Sequence, residues 1–190
     1  MVLTGQAAIA DLERASASGE RYELMRGELR RMAPAGGEHG EVGTEFVFHL
    51  RAHVGRVLGR VYNADTGFIL ARSPDTVLAP DAAFVRADRL PAPSDRRGFL
   101  PVVPDLVVEV VSPWDRPRDV EEKVALYLQS GVRLVWLVHP ARRTVTVYAP
   151  NAEPRVLGPA DTLDGGDVLP GFRLPVAALF DAEQPSADAG

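Results

Sequence analysis

The chain has 190 residues, of which 46% are hydrophobic and 25% charged, and its formal net charge is -5. That length suffices for a core without staples, and the lack of cysteine excludes disulfides, thiolate metal sites and a cysteine nucleophile. No apolar run reaches the roughly 18 residues that span a membrane and the N-terminus lacks a basic-then-apolar signal pattern, so a cytoplasmic protein without membrane contact is expected; the acidic balance argues against a generic nucleic-acid coat.

In chain order, residues 4–18 place Ala8, Ile9 and Leu12 at helical spacing ahead of Gly19, which predicts a short amphipathic packing helix. In RYELMRGELRRM two short runs flank Arg26-Gly27 and predict a hairpin from Tyr22 to Met32. Glu23 and Glu28 lie in it, either solvated or leaning towards a site. The loop APAGGEHG opens a helix predicted over 40–60, with Val42, Phe46, Leu50, Val54 and Val57 as one buried stripe. His49 and His53 form an i, i+4 pair, but HLRAH lacks the adjacent Glu of a zinc-protease motif and an evident third ligand. His39, at the helix entrance, is the better candidate for a polar role, beside the plainer reading of a capping or loop histidine.

Strands follow at GFIL (67–70) and TVLAPDAAFV (76–85). Asp81, Ala83 and Val85 share one face of the second by the two-residue period, and Pro80 implies an edge, a bulge or a strand start at Asp81. The connection 86–104 is rich in Pro and Arg; Arg86, Arg89, Arg96 and Arg97 could meet phosphate there or simply be exposed. LVVEVV (106–111) reads as a central strand buried on both faces. Asp119, with Glu122 three residues on, predicts an N-cap and a helix to about Gln129 whose inward stripe is Val120, Val124, Tyr127 and Leu128. RLVWLVHP (133–140) then makes a right-handed parallel crossover, and RTVTVYAP (143–150) a hairpin with it. A last strand and a short helical turn close one domain over 1–182, with a flexible tail at 183–190.

The chemistry centres on two acids inside apolar strands, Asp81 and Glu109, and on Lys123, the only lysine among 21 basic residues. A buried carboxylate must be paired, hydrogen-bonded or bound to metal. Two readings follow. A Glu109–Lys123 ion pair could tie helix to strand, or the two acids could offer Mg²⁺ its hard oxygen ligands while the lysine attends a water.

The motifs YELMRGEL (22–29), His39-Gly40 opening a helix, DTGF (65–68), PDAAFV (80–85), PDLVVEVVSP (104–113), EEKVALY (121–127) and GVRLVWLVHP (131–140) together resemble the Uma2 family (DUF820-type). That is a bacterial group assigned to the PD-(D/E)XK nuclease superfamily. The resemblance implies an α/β restriction-endonuclease-like core, in which a mixed central β-sheet is flanked by helices, preceded here by an N-terminal helix and β-hairpin. It implies hydrolysis of DNA phosphodiester bonds with Mg²⁺ or Mn²⁺, with Asp81 and Glu109 as metal ligands. The superfamily lysine stands two residues after the second acid, where this chain has Val111; Lys123 on the following helix fits a migrated lysine that orients or activates water. Glu23, Glu28 and Glu41 are candidates for a supporting acid, with His39 beside them. By analogy a homodimer is expected, and a non-catalytic module that binds nucleic acid or protein on the same fold is the alternative.

Overall fold

The computed structural model describes residues 6–180. In order the elements are α1 (Ile9–Ser16), β1 (Tyr22–Met25), β2 (Glu28–Arg31), α2 (Gly37–Val54), β3 (Gly59–Asn63), β4 (Phe68–Ala71), β5 (Thr76–Leu78) and β6 (Ala82–Arg86). There follow β7 (Leu106–Val110), α3 (Pro117–Gln129), β8 (Leu134–His139), β9 (Thr144–Tyr148), β10 (Arg155–Leu157), β11 (Thr162–Asp164) and β12 (Arg173–Pro175). The tail expected over 183–190 lies outside the described residues, as do the first two residues of the helix expected from position 4. Among the described residues no helix is long and apolar enough to cross a membrane.

Two sheets organise the chain. Six strands run in the order β10-β9-β8-β7-β6-β3, with β7 and β8 parallel across α3 and the other pairs antiparallel. A smaller sheet, β2-β1-β5-β4, is built on the hairpin of β1 and β2. Its two-residue turn has Arg26 at φ 49° and Gly27 at φ 78°, the doubly left-handed geometry that matches strand twist. The run TVLAPDAAFV therefore does not form one strand: β5 joins the small sheet and β6 the large one. Pro80, which has no N–H to give a ladder, lies where the chain crosses between them.

The large sheet is covered on both faces. Val42, Phe46, Leu50 and Val54 of α2 pack with Ala82, Phe84, Leu106, Val108 and Trp136 on one side. On the other, Val124, Leu126 and Tyr127 of α3 pack with Ala83, Val85, Val107, Val135 and Leu137. Alternation along β7 thus sends Val108 to α2 and places Glu109 on the face of Val107, under α3. Such double burial explains why LVVEV reads as almost continuously apolar.

Some boundaries and contacts differ from expectation. Helix α2 spans Gly37–Val54 rather than 40–60, because Gly55 takes φ 55° and turns the chain; Val57 falls beyond it and is 84% exposed, not part of the buried stripe. Helix α3 begins at Pro117, whose fixed φ suits a first helical position, so Asp119 sits inside the first turn and caps nothing. Glu122 pairs with Arg30 instead, at 3.1 Å. Arg86 pairs with Asp88 at 2.9 Å and Arg89 with Asp105 at 2.6 Å, at the end of β6 opposite Asp81. Those two arginines thus have a structural role away from the strand acids.

Asp105, fully buried just before β7, also accepts the Arg86 N–H at 2.9 Å and so locks the β6–β7 junction. Asp105→Ala removes charge-assisted hydrogen bonds and leaves a buried N–H unmet, a loss of about 2–3 kcal/mol. Urea unfolding followed by circular dichroism should show that decrease, and an unchanged midpoint would refute the assigned role.

Candidate active site

The register between β6 and β7 ends at the pair Ala82↔Val108. Beyond it the chain before β6 turns away at Pro80, and the Val110 N–H loses its backbone partner on that side. The Asp81 carboxylate takes the place of that partner, accepting the bond through Oδ2 at 2.8 Å. Asp81 is thereby fixed beside the strand end that carries Glu109.

Glu109 accepts a hydrogen bond from the Tyr127 hydroxyl at 2.5 Å and lies 3.6 Å from Lys123 Nζ. Lys123 and Tyr127 are four residues apart on α3 and so share a face. The same ammonium reaches Glu23 Oε2 at 2.9 Å. Glu23, only 3% exposed on β1, also accepts the Ala79 N–H at 2.9 Å. From the first turn of α2, His39 Nε2 approaches Asp81 Oδ2 to 3.2 Å. The cleft around these groups holds about 320 Å³, and Arg21, Arg30, Arg31, Trp114, Asp115 and Asp119 are among the other residues that line it.

Electrostatics set the protonation states. Burial pushes the Glu109 carboxyl up, Lys123 opposes it, and the nearby charges of Asp81 and Glu23 reinforce it, so that it titrates at about 8. Burial works against the charge of Lys123, but Glu109, Glu23 and Asp81 outweigh it and hold the ammonium above its usual range. The Asp81 hydrogen bond likewise raises His39 against the opposing effect of burial. Tyr127 stays a phenol, since burial and then Glu109 disfavour its ionised form.

Glu23 and Glu109 share one ammonium and the charge of Asp81 bears on both Glu109 and Lys123, so the site carries surplus negative charge that a proton or a cation can relieve. Among the described residues no three His, Cys, Asp or Glu side chains form a ready metal cage. Glu23 is occupied by Lys123 and Ala79 and Asp115 by the Ser112 N–H, which leaves Asp81 and Glu109 as the shielded oxygen donors facing the cleft, with the exposed Asp119 also on its wall. That donor set suits Mg²⁺, which takes one or two carboxylates and fills its other positions with water and phosphate oxygens.

Of the residues singled out in the sequence, Asp81, Glu109, Lys123, Glu23 and His39 line one cleft. Glu28 does not: it is exposed on β2 and pairs with Arg30 at 3.1 Å. Glu41 lies on a separate groove with Glu38 and Glu45, because its position on α2 turns it away from His39. His49 and His53 also go to different partners, Glu45 at 3.6 Å and the Pro170 carbonyl at 3.0 Å. Tyr127 belongs to the inward stripe of α3 by its spacing, and it is four residues from Lys123, which is the sequence signal that sets its hydroxyl beside the site.

A family model named Uma2 and described as "putative restriction endonuclease" matches residues 9–177. Among solved structures, one described as a "putative nuclease belonging to DUF820" from Anabaena variabilis ATCC 29413 superposes with a TM-score of 0.76 at 21% identity. The match covers 90% of this chain and 97% of that one, and it is a likeness of fold. No curated protein matches.

The raised Glu109 gives a pH signature in metal-free protein. A group whose pKa is higher folded than unfolded contributes stability in full below its unfolded value, and that contribution is lost as pH rises through the folded value. For Glu109 the window runs from about 4.5 to about 8. In EDTA the melting temperature should fall across this range, and Glu109→Gln should flatten the fall; an equal slope in both proteins would contradict the assignment.

Proposed function

We propose, on the premise that the chain belongs to the Uma2 family, that it is a metal-dependent nuclease that hydrolyses DNA phosphodiester bonds. The observation that carries this reading is the convergence of Asp81, Glu109 and Lys123 on one cleft from three separate elements. Asp81 and Glu109 would hold Mg²⁺, or Mn²⁺, through their carboxylates. When bound, such an ion neutralises charge developing on the scissile phosphate and sharpens a water as nucleophile.

The protein's own groups prepare that site. The Val110 N–H and His39 fix the Asp81 carboxylate, and the Tyr127 hydroxyl orients Glu109. Lys123, held charged by its neighbours, donates hydrogen bonds; of its two conceivable roles, orienting the attacking water fits this state, while removing a proton from it does not. Glu23 keeps the ammonium in place by a contact of 2.9 Å. Donors held in advance need no reorganisation as the reaction proceeds, which is where such sites gain most. Cutting both strands of a duplex calls for two such clefts, and a homodimer is the assembly proposed to supply them.

Supercoiled plasmid incubated with Mg²⁺ or Mn²⁺ should be nicked or linearised by the wild type, and Asp81→Ala and Lys123→Ala should each reduce the rate at least about 100-fold. Equal cleavage by all three proteins would remove this cleft from the reaction. Binding in the absence of cleavage would favour the binding-module reading. Independently of turnover, Mg²⁺ should raise the melting temperature of the wild type and leave that of Asp81→Ala unchanged. For the assembly, sedimentation equilibrium at micromolar concentration should show a dimer; a monomer alone would count against it.

A further inference from the structure

Immediately after the strand that carries Glu109, residues 113–119 form a continuously exposed segment. Trp114 stands in it with 70% of its surface in solvent, although it lines the cleft. Large apolar side chains are exposed singly on many surfaces, but the backbone that carries this one is fixed in a hydrogen-bonded turn. The turn is closed by Asp115 N–H to the Ser112 carbonyl at 3.0 Å and by Ser112 N–H to Asp115 Oδ2 at 2.8 Å. One edge of the indole lies over the loop entering α2, where a Cβ on Gly36 would come within 3.7 Å of its six-membered ring.

The segment that carries the ring also carries two arginines and two aspartates, Asp115 and Asp119. Arg116 and Arg118 belong to the same exposed segment, and among the described residues neither forms an ion pair. Arg21, Arg30 and Arg31 line the cleft at the small sheet, but each already faces a carboxylate: Asp65, Glu28 with Glu122, and Glu20 respectively. An exposed aromatic face close in sequence to two arginines without an ion pair matches a nucleotide, with the base on the ring and the phosphate on a guanidinium group.

We infer that Trp114 is a stacking platform for an unpaired nucleobase next to the scissile phosphate, which makes the preferred substrate a nucleic acid unpaired at the cut. The substrate class so defined rests on the reading of the cleft as a phosphodiester-cleaving site. Bases inside a continuous duplex have both faces covered by their neighbours and have none to offer the indole. Single strands, flaps and bulges do. Trp114 acts by positioning: it fixes the nucleotide while the carboxylates and Lys123 address the phosphate.

The test is fluorescence anisotropy with a labelled twelve-residue oligothymidylate and a labelled blunt hairpin duplex, in Ca²⁺, a hard cation suited to the same oxygens. Trp114→Ala should weaken binding of the single strand at least about five-fold and leave the duplex nearly unchanged, whereas Trp114→Phe, which keeps a stacking ring, should retain most of the affinity. An unchanged single-strand affinity in Trp114→Ala, an equal loss on both probes, or no binding of the single strand by wild type would overturn the inference. The readout involves no turnover, so the two readings fail separately. Loss of single-strand affinity in Trp114→Ala without cleavage by the wild type keeps the platform and sinks the nuclease. Asp81-dependent cleavage with no effect of Trp114→Ala on affinity does the reverse.

Discussion

One ammonium holds the site together. Lys123 Nζ lies 2.9 Å from Glu23 and 3.6 Å from Glu109, so a single charge on α3 ties the small sheet to the centre of the large one. Its partners come from β1 and β7, and they are separated from it by 100 and 14 positions in sequence. Without a cation at that point three carboxylates would face one another in a cleft where the Glu109 side chain is only 13% exposed. Charges that are shielded so poorly from one another interact far more strongly than surface pairs do.

The surplus of acids is a local inconsistency in an otherwise consistent fold. Hairpin turn, strand alternation and helix stripes all favour the same packing, and the places where such rules are broken tend to be functional. Here the breach is confined to one end of β6 and β7. The other end, where Asp105 is neutralised by Arg89 and the Arg86 N–H, shows how the chain settles a buried acid when only stability is at stake. Asp81 is held by the Val110 N–H and His39, and Glu109 by a phenol and an ammonium shared with Glu23, and both keep a side towards the cleft.

Much of the large sheet was legible because its signals are local. The parallel crossover follows from strand, helix and strand in succession, and the hairpins from their turns. Two kinds of feature were not. Helix ends moved where a backbone constraint outranked a side-chain signal: Pro117 started α3 before the Asp119 cap could, and Gly55 ended α2 before Val57. The division of TVLAPDAAFV between two sheets depends on which partner each half meets, and no spacing within the run records that. The ranking of Glu23 over Glu28 and Glu41 was equally hidden. By register Glu23 and Glu28 share one face of the hairpin; they differ because β1 lies inside the small sheet and β2 at its edge, which no spacing within the hairpin records.

The sequence by itself determined the kinds of group available: no thiol, one lysine, two acids inside apolar strands, and a series of motifs with the character of the Uma2 family. It also determined that α3 would follow β7, because the order of elements and their periodicity are properties of neighbouring residues. Only the tertiary structure decided that Glu23 completes the charge cluster, that His39 and the Val110 N–H position Asp81, and that Trp114 remains uncovered beside the cleft. Those relations join residues far apart in the chain, and they exist only once packing has fixed where each element lies.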